Sequence, residues 1–236
     1  VLAAGWGVVR LVHLLAAVSH EEWGRLAAAL GATFLRTAGA LALAAVWTVP
    51  AGILIGRSAT WSRRLQPIVQ LVASFPAPMI FPLVTGVMLA MRVPFSIIAS
   101  VLMLLGAQWY VLFNVLAGAS AVPHDLEEAA ETYGLRGAER WKRLFLPAVF
   151  PYLVTGLITA AGGAWNASIV AETLAYKGRT LETFGLGSTI TRATASANFP
   201  LLAAGVLTMS IALILLNRAV WRPLYRLAES KYTLNR

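Results

Sequence analysis

The sequence contains no cysteine, so disulfides and thiolate metal sites are excluded. Charge is sparse: 12% of the 236 residues are charged, against 58% hydrophobic. Acidic residues are the scarcer sign, 10 against 19 basic. The three histidines, His13, His20 and His124, are scattered, and no metal-binding pair exists among them. No G-x-S-x-G is present, so a serine nucleophile elbow has no residues to build it. No G-x-x-x-x-G-K-[ST] is present either, and phosphate chemistry on a nucleotide would have to come from another chain. A net charge of +9 admits nucleic acid as a partner. The reading that fits the rest is the Lys and Arg excess of inner membrane loops, with no nucleic-acid partner.

What remains is apolar, with a mean hydropathy of +0.72. The apolar residues come as long runs. A bilayer core of ~30 Å asks for about 20 such residues in a helix, and a helix satisfies its own backbone hydrogen bonds where lipid cannot. The sequence therefore predicts an all-α, polytopic integral membrane protein, with five core transmembrane helices and an N-terminal one. Residues 1–19 read as that N-terminal helix, cut short at its start, with Arg10 at its centre. Residues 20–36 read as an interfacial segment anchored by Trp23, and 37–221 as the transmembrane core. Within the core, 122–147 is a polar loop, and 222–236 is a tail. "GRSATWSRRLQP" reads as a basic turn. The span Ile68–Met91 holds Pro76, Pro78 and Pro82, which predicts a kinked or partly unwound helix. Such a break is tolerated in a membrane where protein or a water-filled cavity receives the freed carbonyls.

Lys and Arg set the orientation. Loops with Arg57, Arg63 and Arg64, with Arg136, Arg140, Lys142 and Arg143, and the basic tail hold twelve. The opposite loops hold six: Arg25, Arg36, Arg92, Lys177, Arg179 and Arg192. The polar loop and the C-terminus are expected in the cytoplasm, and the Glu172–Phe199 loop outside.

The polar loop, "EEAAETYGLRGAERWKRLFLP", is the longest charged stretch. Asp125 and Glu128 have capping-box spacing. Leu126, Ala129, Ala130 and Tyr133 fall on one helical face. Gly134 stands where a C-terminal cap would be. A second short helix is expected to carry Trp141, Leu144 and Phe145 on one face, and Pro147 to open the next span. By periodicity alone this is an amphipathic surface loop, and packing under its own bundle would explain it. The spacing of Glu128-Ala129-Ala130, Gly134 and Leu144-Phe145-Leu146-Pro147 resembles the EAA loop of type I ABC importer permeases. One position departs, a Leu144 where the pattern has Ile, a volume-conserving change.

From about Leu30 onward the chain resembles the nitrate, sulfonate, taurine and bicarbonate branch of those permeases. "GGAWNASIVAETL" and "NRAVWRPLYRLAE" are most similar to the C-terminal half of a duplicated-permease subgroup. The resemblance implies an ATP-driven, binding-protein-dependent importer of a small inorganic or organic anion, in a bacterial or archaeal inner membrane. It implies two permease units around a pathway. A cytoplasmic ABC ATPase dimer would grip Glu128, Ala129, Ala130, Gly134, Leu144 and Pro147, and an external binding protein would deliver solute. ATP and Mg would be bound by the ATPase subunits, with no cofactor and no catalytic residue in this chain. Glu172, Lys177 and Arg179 on the outer loop are candidates for binding-protein contact; a solvated loop would explain them equally.

Thr155, Thr159, Gly162, Asn166, Ile169 and Thr173 recur at steps of four and three, on one helical face. Two readings of this stripe stand. It is a packing seam, since membrane helices approach through small residues. Or Thr159, Gly162 and Asn166, with Pro76 and Pro78, line the translocation pathway, Asn166 acting as a neutral donor. Two rival functions are weighed. A secondary transporter or channel without an ATPase would suit the broken "FPAPMIFP" helix, but outside Arg10 the spans are nearly free of the charged residue that ion coupling uses. An intramembrane enzyme is disfavoured, because the E-E-x-x-x-R pattern begun by Glu127-Glu128 meets Thr132 at the Arg position.

Overall fold

The long apolar runs become long helices. The computed structural model describes residues 2–232. In order they are α1 (Leu2–Ala16), α2 (His20–Gly56), α3 (Ala59–Ala73), α4 (Ala77–Ala90), α5 (Phe95–Ser120), the short α6 (His124–Thr132) and α7 (Gly137–Arg140), and α8 (Leu146–Ala171). A hairpin of β1 (Thr173–Tyr176) and β2 (Arg179–Glu182) follows, then α9 (Leu186–Ala195), α10 (Phe199–Leu216) and α11 (Arg222–Lys231). Four of the described helical runs are long and apolar enough to cross a membrane, and the bent pair α3–α4 makes up to a fifth. The protein is a multi-pass, helical membrane protein. Its α1, at 15 residues, is shorter than the about 20 a span needs.

Helix α2 corrects the expected segmentation. Residues 20–36 are not a separate interfacial piece; they are the first half of one 37-residue helix. At 1.5 Å per residue that helix is about 55 Å long, well beyond a bilayer core. Its start is fixed by a capping box: Ser19 Oγ accepts from Glu22 N, and Glu22 Oε2 accepts from Ser19 N at 2.8 Å. The S-x-x-E signal stood in the sequence. Leu26 and Ala29 are buried in a cluster with Leu186, Ile190 and Ala204, so this half packs on α9 and α10.

The centre of the bundle is α5, packed between α2 and α8. Leu102, Met103, Ala107, Val111 and Val115 are wholly buried. Glycines let the backbones approach. A methyl group on Gly56 would stand 2.6 Å from the Leu116 carbonyl oxygen, and one on Gly52 2.8 Å from the Val115 side chain.

The kinked span is two helices that meet at 83°. The break falls at Ser74–Pro76, with Pro76 preceding the first residue of α4. Pro78 lies in the first turn of α4, where its missing N–H does no harm, and Pro82 sits inside α4 without ending it. Of the three prolines only Pro76 marks the break. Of the stretch expected as a basic turn, only Arg57 and Ser58 link α2 to α3, and Ala59 to Pro67 are helical.

Two joints are wide. A π turn over Trp141–Phe145 runs α7 into α8, and another over Asn217–Trp221 runs α10 into α11. Each ends two residues before a proline, Pro147 or Pro223. A proline cannot donate to the carbonyl four residues back and its ring crowds that carbonyl; the wider turn makes room. Pro147 stands in the first turn of α8, as expected, and the π turn joins that helix to α7 in one run, Gly137–Ala171. The expected tail likewise begins as the helical continuation α11.

Candidate functional site

The polar loop builds its geometry from a few ion pairs. The Asp125–Glu128 capping box does not form: α6 follows Pro123 with no side-chain cap, and Glu128 faces His124 at 3.3 Å. The apolar face of α6 stands largely open in the single chain. Ala130 is buried and Ala129 half-buried, but Leu126 is exposed and Tyr133 is 84% exposed. Two acids of α6 meet Arg140, Glu127 partly buried and Glu131 exposed. The Arg140 guanidinium donates to Glu127 at 2.7 Å and to Glu131 at 3.0 Å. It also stacks over the buried Phe145 ring at 5.6 Å, with Arg57 over the same ring at 5.3 Å. Leu144 and Pro147 are half-buried beside it.

Gly134 has φ +69°, a conformation a side chain resists. Leu135 N donates to Ala130 O and Gly134 N to Glu131 O, both at 2.9 Å, a Schellman ending. Arg57 and Arg140 stood in the sequence only as loop cations, and the pairing of Arg140 with Glu127 and Glu131 was not expected. The signal was there, in two acids four apart on α6 and an arginine between Gly137 and the apolar run.

At the α3–α4 break lies a cleft of about 550 Å³. It brings Pro76 and Pro78 together with Asn166 of α8. Its walls include Phe75, Trp109, Tyr110 and Phe113. Thr155, Thr159, Gly162 and Asn166 are exposed in the single chain. They make no seam within it, and a methyl on Gly162 would touch nothing. Thr159 and Gly162 do not line the cleft, and Gly163 does. Thr173, the last of the expected stripe, is in β1 and so off the helical face.

Glu172 corrects an expectation. It does not stand on an outer surface; its side chain is fully buried. Its Oε1 accepts from Arg36 Nη1 and from Thr33 Oγ1, both at 2.7 Å. Its Oε2 accepts from Ser188 N in the first turn of α9, at 3.2 Å. Arg36 also reaches Thr183 and the Phe184 carbonyl, and Thr33 Oγ1 accepts from Leu186 N. A carboxylate at a helix N-terminus meets free N–H groups and the positive end of the dipole. Any side chain at Gly185 would collide with it, since a Cβ there lies 2.2 Å from Oε2. Arg36, counted above as a loop cation, belongs to this buried network; Thr33, Arg36 and Gly185 were missed because each partner lies more than a hundred residues or a whole element away.

Lys177 and Arg179 are exposed at the hairpin tip. Lys177 (φ +48°) and Gly178 (φ +74°) form its two-residue turn. The same hairpin leans on α4: a Cβ on Gly86 would lie 2.6 Å from Tyr176 Oη.

The family described as "Binding-protein-dependent transport system inner membrane component" matches residues 48–221. A nitrate import permease protein of Leptolyngbya laminosa is 30% identical over 61% of the chain and 50% of its own length. A bicarbonate transport system permease protein of Synechococcus elongatus is 28% identical over 60% and 49%. A taurine transport system permease protein of Escherichia coli is 29% identical over 82% and 66%. The chain thus spans about half the length of the first two relatives.

Proposed function

The chain belongs to the family of inner membrane components of binding-protein-dependent transport systems, and from that membership we propose that it is the permease subunit of an ATP-driven importer of small anions. The relatives named for nitrate, bicarbonate and taurine support that substrate range. Two permease units enclose the pathway. A cytoplasmic ABC ATPase dimer docks on α6, and it alone binds ATP and Mg. An external binding protein docks near Lys177 and Arg179. The membrane is a bacterial or archaeal inner membrane, with α6 and α11 on its cytoplasmic side. Family membership leaves the carrier or channel without an ATPase unsupported.

One observation carries the reading. Helix α6 presents Glu128 outward and half-exposes Ala129, while Arg140 pins its inner face to the start of the run that becomes α8. That same run carries Asn166 into the cleft. A push on α6 therefore reaches the pathway through one arginine and one helix. The Trp141–Phe145 π turn is the point where the two can pivot.

The test is assembly and coupling. The wild-type permease should co-purify with an ABC ATPase. Gly134→Val forces a β-branched residue to φ +69°, at a cost of about 1–2 kcal/mol. It should release the ATPase or leave hydrolysis running without uptake. A Gly134→Val complex that assembles and transports at the wild-type rate sinks the coupling role.

A further inference from the structure

The cleft at the α3–α4 break has a distinct chemistry. Its walls are aromatic: Phe75, Phe81, Trp109, Tyr110 and Phe113. None of its lining residues carries a charge, and Asn166 supplies a neutral amide. The aromatic wall is held in place from behind. Trp109 meets Trp47 edge to face, with centroids 6.4 Å apart, and the edge of the Tyr110 ring packs on Gly163, where a Cβ would stand 3.0 Å from it.

Such walls discriminate by the body of a solute. Aromatic faces are electronegative, so a bare inorganic oxyanion is repelled by them and finds no cation to replace its water. A flat ring gains stacking contact on such faces. The volume of about 550 Å³ is that of a small-molecule pocket, in the range of about 300–1,000 Å³.

We propose that the solute passing this cleft is an organic acid built on a flat ring, an aromatic sulfonate or carboxylate. The ring lies against Trp109 and Phe113, and the acid group accepts from the Asn166 amide at the open side. The inference rests on the importer reading for the acid group, and on the aromatic lining for the ring. The cleft thereby prefers a different solute from the inorganic ions named for two of the relatives.

The test is equilibrium binding of radiolabelled benzenesulfonate to the permease–ATPase complex in lipid nanodiscs. Binding should be saturable, and equal concentrations of nitrate or bicarbonate should not displace it. Trp109→Ala should weaken it on the order of tenfold, as loss of ring stacking does, and Trp109→Phe should restore most of it. Should Trp109→Ala fail to fold, Phe113→Leu keeps the volume, removes the ring and should weaken binding several-fold. Asn166→Leu should weaken benzenesulfonate and leave neutral benzyl alcohol unchanged. Displacement by nitrate or bicarbonate overturns the proposal, as does equal binding in Trp109→Ala and Phe113→Leu. Absence of saturable binding also overturns it, and is the result expected if a second permease copy fills the cleft. Failure to co-purify with an ATPase strikes the importer reading instead, and the binding measurement then stands on the permease alone.

Discussion

Glu172 and Arg36 form the most consequential pair at the scale of single residues. Both are inside the protein, the arginine side chain 13% exposed and the carboxylate 0%. Removing one partner of a buried pair leaves the other charge without compensation, which costs about 3–5 kcal/mol. Glu172→Ala should therefore lower the unfolding temperature sharply, read by a thermal-shift measurement on the purified complex. The double variant Glu172→Met with Arg36→Met leaves no orphan charge, and should recover much of the loss. An unchanged unfolding temperature in Glu172→Ala would remove the pair from the account of stability. The network ties α2, α8, the hairpin and α9 at one point. The exposed Lys177 and Arg179 are thus mounted on a rigid base.

At the scale of elements, the break between α3 and α4 decides the shape of the cleft. The bend of 83° sits at Pro76. Pro78 and Pro82 lie where the helix tolerates them, the first in the opening turn and the second within α4. Pro76→Ala restores an N–H and should let the two helices straighten, whereas Pro82→Ala should leave the bend intact. Spin labels at Gln70 and Val87 report the difference: the distance should lengthen in Pro76→Ala alone. Uptake should fall with it, because the cleft loses Phe75 and Pro78 from one wall. If Pro82→Ala straightens the pair and Pro76→Ala does not, Pro82 and not Pro76 sets the bend.

At the scale of the whole molecule, the orientation rests on cations. Arg36 and Arg140 are both largely buried and paired; with both set aside the count is eleven against five, Arg25, Arg92, Lys177, Arg179 and Arg192. The bias keeps its sign. Because the chain has no cysteine, it is its own background for labelling. Ser120→Cys, at the end of α5 next to α6, should react only with reagents that reach the cytoplasm. Thr180→Cys, exposed in β2, should react from outside in intact cells. The reverse pattern would overturn the orientation and the docking of an ATPase on α6.

By itself the sequence determined the solvent and the class of fold. Long runs without charge dictate membrane helices, because lipid leaves the backbone no other partner. It also determined the turn at Gly134, since φ +69° is open to glycine and little else. Local signals of that kind need only neighbours along the chain. The tertiary structure alone decided the rest. Glu172 on the outer loop and Arg36 in a helix read as separate surface charges until the packing of α2 on α8 and α9 brings them to 2.7 Å. Glu131 and Glu127 of α6 are held by Arg140, nine and thirteen residues away, a pairing that no local pattern records. Asn166 joins Pro76 and Trp109 in one cleft only because α5 lies between its neighbours closely enough to set three helices around one space. Periodicity records which residues share a face of one helix, and it carries no record of which other helix that face will meet.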